Sequence, residues 1–207
     1  MTGSYAVLID GAFLDAILGA RLKRRPGADD IVRECGRIMA HPSLAGLSLL
    51  RVFYYHARPC EDKVSNPLSG QGAAPVDLGA SAVARHYRNL FHELALRDDF
   101  ALRLGETEAV GWRLGDRAAE NIYRQPRPPE AQDLVPDIRQ KGVDMRIGID
   151  ITWLALRRLV DVVVVVTADS DFVPVFKVAR REGVRVCLAP LGHGALHSLK
   201  AHADLVF

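Results

Sequence analysis

Apolar positions along the chain fall into short runs and helical stripes that alternate from its first residues to its last. Tyr5 to Ile9 is a continuous apolar run closed by Asp10-Gly11, the pattern of a buried strand that stops at a turn. Phe13, Leu14, Ile17, Leu18 and Leu22 then recur at three- and four-residue steps, which predicts an amphipathic helix ending in the basic group Arg21, Lys23, Arg24, Arg25 before Pro26. A second helix carries Ile31, Cys35, Ile38 and Met39 on one face, capped by Asp29 or Asp30 and interrupted by Pro42 and Gly46. Leu49 to Tyr55, rich in branched and aromatic residues, predicts a second buried strand. Val83, Tyr87, Leu90, Phe91 and Leu94 mark a third helix, and Phe100 to Leu104 a short strand.

The last third continues the alternation. Met145 to Val160 sets apolar residues all round the helical wheel and predicts a largely buried helix. Val162 to Val166, five valines without polar alternation, is what a parallel strand covered on both faces requires. Thr167 to Asp171 forms a turn, and Phe172, Val175, Phe176 and Ala179 begin a helix that tolerates Pro174 in its first turn and ends at Gly183. Val184 to Leu188 follows as a strand, Pro190 to Gly194 as a turn, Ala195 to Lys200 as a short helix and Leu205 to Phe207 as a last strand. Such alternation predicts an α/β fold with a doubly wound, mainly parallel sheet. Two segments lack periodicity. Residues 58–79, rich in Pro, Gly, Ser, Asn and Gln, read as a surface loop, and 113–136, with Pro126, Pro128, Pro129 and Pro136 among charges, as a second loop or a short flap. The apolar segments around them continue one pattern, so residues 1–207 are read as a single domain.

Composition narrows the class. With 49% hydrophobic and 25% charged residues in 207, the chain is globular rather than disordered, coiled-coil or collagen-like. Its apolar runs fall far short of the roughly 20 residues that cross a bilayer, and Met1 opens no basic-then-apolar leader, so a soluble cytoplasmic protein without membrane association is expected. Cys35, Cys60 and Cys187 are odd in number and widely spaced, which fits buried thiols in a reducing compartment better than a disulfide framework. A net charge of +2 leaves any nucleic-acid binding to local patches. Two such patches exist, Arg21, Lys23, Arg24 and Arg25, and Lys177, Arg180, Arg181 and Arg185; each reads first as a solvated helix end and second as a phosphate-backbone contact.

In sheets of this class, sites form beyond the carboxyl ends of the strands, where strand order reverses. Asp10 ends the first strand, Asp169 and Asp171 follow the valine strand, and Asp144 opens the helix that leads into it. Asp150, six residues after Asp144, does not share its face cleanly. If the first and the valine strands are neighbours, these carboxylates converge, and like charges a few ångströms apart raise one another's pKa. A Mg²⁺ or Mn²⁺ ion would relieve that repulsion and suits phosphoryl chemistry. Each acid also has a local role open to it: Asp10 as a turn or helix cap, Asp169 as the cap of the next helix, Asp171 as a first-turn charge.

Three segments, Val7-Leu8-Ile9-Asp10-Gly11, Lys141-Gly142-Val143-Asp144, and Val165 through Pro174 with its Asp169-Ser170-Asp171-Phe172, together resemble the NYN domains, the PIN-like group that includes LabA-like bacterial proteins. The resemblance runs from Tyr5 to Phe207 and closes on the pair Ala203-Asp204. It implies a three-layer α/β/α PIN-like fold and a metal-dependent ribonuclease, a hydrolase of RNA phosphodiester bonds using Mg²⁺ or Mn²⁺. It makes Asp10, Asp144, Asp169 and Asp171 the catalytic, metal-binding set, and Lys141 a substrate-binding candidate. In one place the chain departs from the pattern. Many relatives have Asn two residues after the first glycine, where this chain has Phe13, and Phe cannot hold a phosphate or a metal-bound water. A PIN-like RNA-binding or regulatory module that does not cleave therefore stands as the alternative. Asp169-Ser170-Asp171 also has the D-x-D form of a nucleotide-sugar glycosyltransferase, but the chain is short for one and Asp10 would have no role. His193, His197 and His202 lack the Glu or Cys that would complete a zinc motif, and no glycine-rich phosphate loop occurs. RNA is the expected partner, with self-association into a homo-oligomer left open.

Overall fold

The computed structural model describes residues 3–70, 72–194 and 197–207. Its elements follow the order β1 (Ser4–Asp10), α1 (Gly11–Leu22), α2 (Ala28–Met39), β2 (Ser48–Ala57), β3 (Lys63–Val64), β4 (Val76–Asp77), α3 (Ala82–Ala95), β5 (Phe100–Leu114), α4 (Asp116–Arg124), β6 (Leu134–Lys141), α5 (Val143–Leu156), β7 (Val162–Val166), α6 (Val173–Arg181), β8 (Arg185–Leu188), α7 (His197–Ala201) and β9 (Leu205–Val206). The fold is α/β, with a seven-stranded sheet in the order β6-β5-β2-β1-β7-β8-β9. Its β1–β2, β1–β7, β7–β8 and β8–β9 pairs are parallel and its β5–β6 pair antiparallel. The expected mainly parallel sheet flanked by helices is therefore present. The chain clusters into two units, one of Met1–His56, Leu90–Gly105 and Gly142–Phe207, the other of Ala57–Asn89 and Glu106–Lys141.

The first unit holds the parallel strands. All five valines of β7 and Ala6 to Ile9 of β1 are buried, which explains their lack of polar alternation: residues pointing to either face of the sheet meet helices rather than water. Helix α1 starts on the Asp10 cap and ends at Lys23, whose left-handed φ of 58° lets its N–H bond the Gly19 carbonyl. The basic run after α1 is tied back onto α2. Arg24 grips the buried Asp30 carboxylate with bonds of 2.6 and 3.0 Å, and the buried Glu34 accepts from Arg21 at 3.2 Å and Arg37 at 2.8 Å. These arginines satisfy α2 carboxylates that would be costly to bury alone.

Helix α5 departs from the expectation of burial all round. Ile147, Ile151 and Leu154 are fully buried, each worth about 1.5–3 kcal/mol. Met145, Ile149, Trp153 and Leu156, on the other face, are 71, 59, 51 and 58% exposed. With Gly148, Thr152 and the α6 residues Pro174, Val175 and Val178 they line an open groove of about 590 Å³. The helix is as apolar as its sequence indicates, but an apolar wheel does not say which of its sides have neighbours. The short helix expected from Ala195 begins at His197 among the described residues; Ala195 and Leu196 lie outside them.

In the second unit, β5 and β6 form an antiparallel ribbon from Glu106 opposite Lys141 to Leu114 opposite Leu134, with a register shift between Ala109 and Gly111. Gly111 takes φ +152°, open to glycine without strain. Residues 113–136, read from their prolines as loop or flap, carry the end of β5, helix α4 and a 3-10 turn at Ala131–Asp133. The polar helix α4 has no buried residue, so no apolar stripe announced it. Residues 58–79 contain the two-residue ladder β3–β4, and Asp62 accepts from the Ala109 N–H at 3.0 Å. All three cysteines are free and buried.

Candidate active site at the carboxyl ends of the central strands

Strands β1 and β7 run side by side in parallel with Ile9 opposite Val166, so Asp10 and Thr167 leave the sheet at one level. From β1 the chain passes through α1 and α2 to β2 on one side, and from β7 through α6 to β8 on the other. Strand order reverses here, where a crevice opens in sheets of this class.

Short-range bonding fixes each acid. Asp10 Oδ1 accepts from the Phe13 N–H at 3.2 Å, capping α1, and Oδ2 accepts from the Thr167 hydroxyl at 3.4 Å. The same hydroxyl oxygen, wholly buried, accepts from the Asp169 N–H at 3.1 Å. Thr167 thus couples the ends of the two strands. Asp169 Oδ1 accepts from the Asp171 N–H at 2.9 Å and caps the 3-10 turn Ser170–Phe172. Buried Phe172 anchors that turn, and α6 starts beyond it with Pro174 in its first turn. Asp144 sits exposed in the first turn of α5, after Gly142 at φ +75°. The capping roles open to Asp10 and Asp169 are therefore real, and they coexist with a shared electrostatic site.

Burial raises the Asp10 carboxyl above its ordinary value; the Phe13 N–H opposes this and the charge of Asp144 adds to it. Asp144 is raised by partial burial and then by the charges of Asp169 and Asp171. Asp144 is thus the acid that lies in the field of Asp169 and Asp171 and whose own charge reaches Asp10. Among the described residues, no three His, Cys, Asp or Glu side chains approach closely enough to share an ion. The donor set still fits a hard divalent cation: it is all carboxylate, and its like-charge strain is what a cation relieves. Mg²⁺ commonly takes one or two carboxylates and keeps several waters.

The remaining candidates are placed differently. Lys141, on β6, pairs with Glu108 of β5. Phe13 packs edge-on against His193, ring centroids 5.8 Å apart. Arg180 is held by Asp204, which also accepts from the Val186 N–H, so the closing Ala203-Asp204 pair ties α6 to β8. Lys177, Arg180, Arg181 and Arg185 line a cavity of about 640 Å³ with that aspartate.

Several residues escaped the sequence reading. Tyr55 stands opposite Asp10 in the β1–β2 register, and its hydroxyl donates to Asp150 Oδ2 at 2.7 Å; burial and that carboxylate push the phenol well above its usual range. Arg103 Nε donates to the same oxygen at 3.1 Å. On the other side of β2, the Tyr54 hydroxyl donates to buried Asp15 at 3.0 Å, with His56 Nε2 3.5 Å from its second oxygen. The one signal for these was that Asp10 must have strand neighbours, and that needs the register.

The mainly parallel α/β sheet flanked by helices is consistent with a PIN-like fold. Residues 111–207 match the family model of the NYN domain, a nuclease-like family, and over that stretch the resemblance read from the motifs is shown. The match takes in Asp144, Asp169 and Asp171; Asp10 lies before it. The chain is similar, at 30% identity over 118 residues, to an uncharacterized protein of Methanocaldococcus jannaschii, covering 54% of this chain and 49% of that protein. It thus spans about half the length of this curated relative. A crystal structure of a Vibrio parahaemolyticus protein of unknown function has a TM-score of 0.51 at 13% identity, covering 99% of this chain and 91% of that one, a likeness of fold alone. No helix among the described residues is long and apolar enough to cross a membrane.

Proposed function

We propose that the protein is a metal-dependent ribonuclease that hydrolyses RNA phosphodiester bonds, with residues 1–207 working as one NYN/PIN-like domain in the cytoplasm. The observation that carries this reading is the placement of Asp10 and Asp169 beyond the adjacent ends of β1 and β7, where strand order reverses and the Thr167 hydroxyl bonds to both residues. Asp10, Asp144, Asp169 and Asp171 are the residues that would hold Mg²⁺ or Mn²⁺. When bound, the ion supplies an activated water and charge neutralisation at the phosphorus. Asp10 and Asp169 are kept in place by the Thr167 hydroxyl, so both strand ends present their carboxylates without local rearrangement. Lys141 is the candidate contact for the substrate backbone once it exchanges Glu108 for a phosphate.

The test is incubation of the purified protein with end-labelled single-stranded and hairpin RNAs in Mg²⁺, Mn²⁺ or EDTA, beside Asp169→Asn and Asp10→Asn. Metal-dependent cleavage lost in both variants, with unchanged circular dichroism, is the expected result. A fully active Asp169→Asn protein would sink the assignment. Phe13, filling the expected Asn position with a ring packed on His193, favours a second reading, a module that binds RNA without cleaving it. In the same assay that module retains RNA in EDTA and cleaves it in no metal.

A further inference from the structure

Asp150 Oδ2 accepts two hydrogen bonds, from the Tyr55 hydroxyl at 2.7 Å and from Arg103 Nε at 3.1 Å. Tyr55 is fully buried and stands opposite Asp10 across β1 and β2. The Arg103 guanidinium carbon lies 5.1 Å from the centroid of the Phe53 ring. One edge of the guanidinium is therefore held by a carboxylate and one face by an aromatic ring. The Arg103 side chain is 43% exposed, and its Nη1 and Nη2 bond no protein atom among the described residues. A guanidinium carries five N–H donors in a rigid fork. Here the inner donor is used and the four outer ones are open.

A surface arginine whose only purpose is a salt bridge gains most by meeting the carboxylate with two parallel bonds. Arg24 does so with Asp30, and Arg127 with Asp133. Arg103 offers only Nε, and its half-exposed fork is oriented by two contacts, one of them the carboxylate oxygen that also accepts from Tyr55, the strand neighbour of Asp10. An oriented fork with paired donors matches two oxygens of a phosphate, and its ordering entropy is already spent before the ligand arrives.

We propose that Arg103 binds a backbone phosphate of the RNA, with Asp150 and Tyr55 positioning it. This rests on the nuclease reading for the chemistry but makes its own prediction about binding. The experiment compares wild type, Arg103→Ala, Arg103→Lys and Asp150→Asn in steady-state cleavage and in RNA binding with EDTA, thermal unfolding serving as the check on folding. For a bidentate, charge-assisted contact, Arg103→Ala is expected to lower kcat/KM about 10- to 100-fold. Lysine keeps the charge without the fork and does not restore activity, while Asp150→Asn shows a smaller loss in the same direction. RNAs carrying single phosphorothioates supply a readout that a structural role would not move. Sulfur at the contacted phosphate slows wild type and leaves Arg103→Ala little changed, since the contact is already gone. An unchanged kcat/KM in folded Arg103→Ala, or the same phosphorothioate effect in both proteins, overturns the proposal. If wild type binds RNA and cleaves none, the nuclease reading fails alone and Arg103 is judged by affinity: weaker binding by Arg103→Ala supports its role, and equal binding refutes it.

Discussion

The same substitution, glycine to alanine, should have opposite effects at two helical positions. Gly11 follows Asp10 as the first residue of α1, and a Cβ there would stand 2.5 Å from the Tyr55 carbonyl oxygen and 2.7 and 2.9 Å from Cζ and the hydroxyl of Tyr54. Neither neighbour yields easily. The carbonyl belongs to β2, whose register with β1 sets the sheet, and the Tyr54 ring is fully buried with its hydroxyl on Asp15. Overpacking of this kind costs about 1–3 kcal/mol, and a chain of this size loses about 2–4 °C in Tm per kcal/mol, so Gly11→Ala should lower Tm by roughly 2–12 °C. Gly36 lies exposed in the middle of α2, and a methyl group added there would meet nothing within 4 Å. There alanine restricts the unfolded chain and suits the helix, a gain of about 0.4–1 kcal/mol. Thermal and urea unfolding of the three proteins, by circular dichroism, reads both effects. Because Asp10 adjoins Gly11, RNA cleavage by folded Gly11→Ala should also fall, while Gly36→Ala keeps wild-type activity. A Gly11→Ala protein as stable as wild type would refute the argument that β1 and β2 can approach here only over a glycine.

Two further predictions concern pH. In EDTA, Asp10 and Asp144 hold protons more tightly folded than unfolded, so they favour folding most where both are protonated, and stability declines as pH rises from the ordinary carboxylate value near 4 through their raised folded values. Asp144→Asn removes much of that decline, so at neutral pH without metal it should unfold at a higher temperature than wild type; a lower one contradicts the like-charge account. Asp133 has the opposite sign: two bonds from Arg127, at 2.6 and 2.7 Å, and one from the Glu130 N–H hold it at about 2. Its contribution is complete above the ordinary carboxylate range and is lost as pH falls through about 2. In Arg127→Ala its NMR titration should move up toward that range and β6 amides should exchange faster; an unmoved titration would mean the backbone bond alone holds it.

The sequence made most of the first unit legible because its signals are strong and local. Five buried valines admit few alternatives to a covered parallel strand, and the stripes of α1, α2 and α3 needed only periodicity. The second unit resisted for a physical reason. Helix α4 buries nothing, and β5 extends to Leu114, well past the apolar run at Phe100 to Leu104, through residues whose partners are ribbon carbonyls rather than a core. Helix α5 misled in the other direction, since an apolar wheel looks the same whether its outer stripe meets a neighbour or an open groove.

The site divides along the same line. Asp10, Asp144, Asp169 and Asp171 stand out as candidates because strand ends and helix starts are visible in a sequence, and in the fold Asp144 raises Asp10 and is itself raised by Asp169 and Asp171. What holds them could not be. Thr167 reads as the polar residue that ends a valine run, yet its one hydroxyl donates to Asp10 and accepts from Asp169, a role that exists only because β1 and β7 are adjacent and in register. Asp150 shares no clean face with Asp144, and that same offset turns it toward Tyr55 and Arg103 instead. The carboxylates thus follow from chain order and their supports from strand pairing.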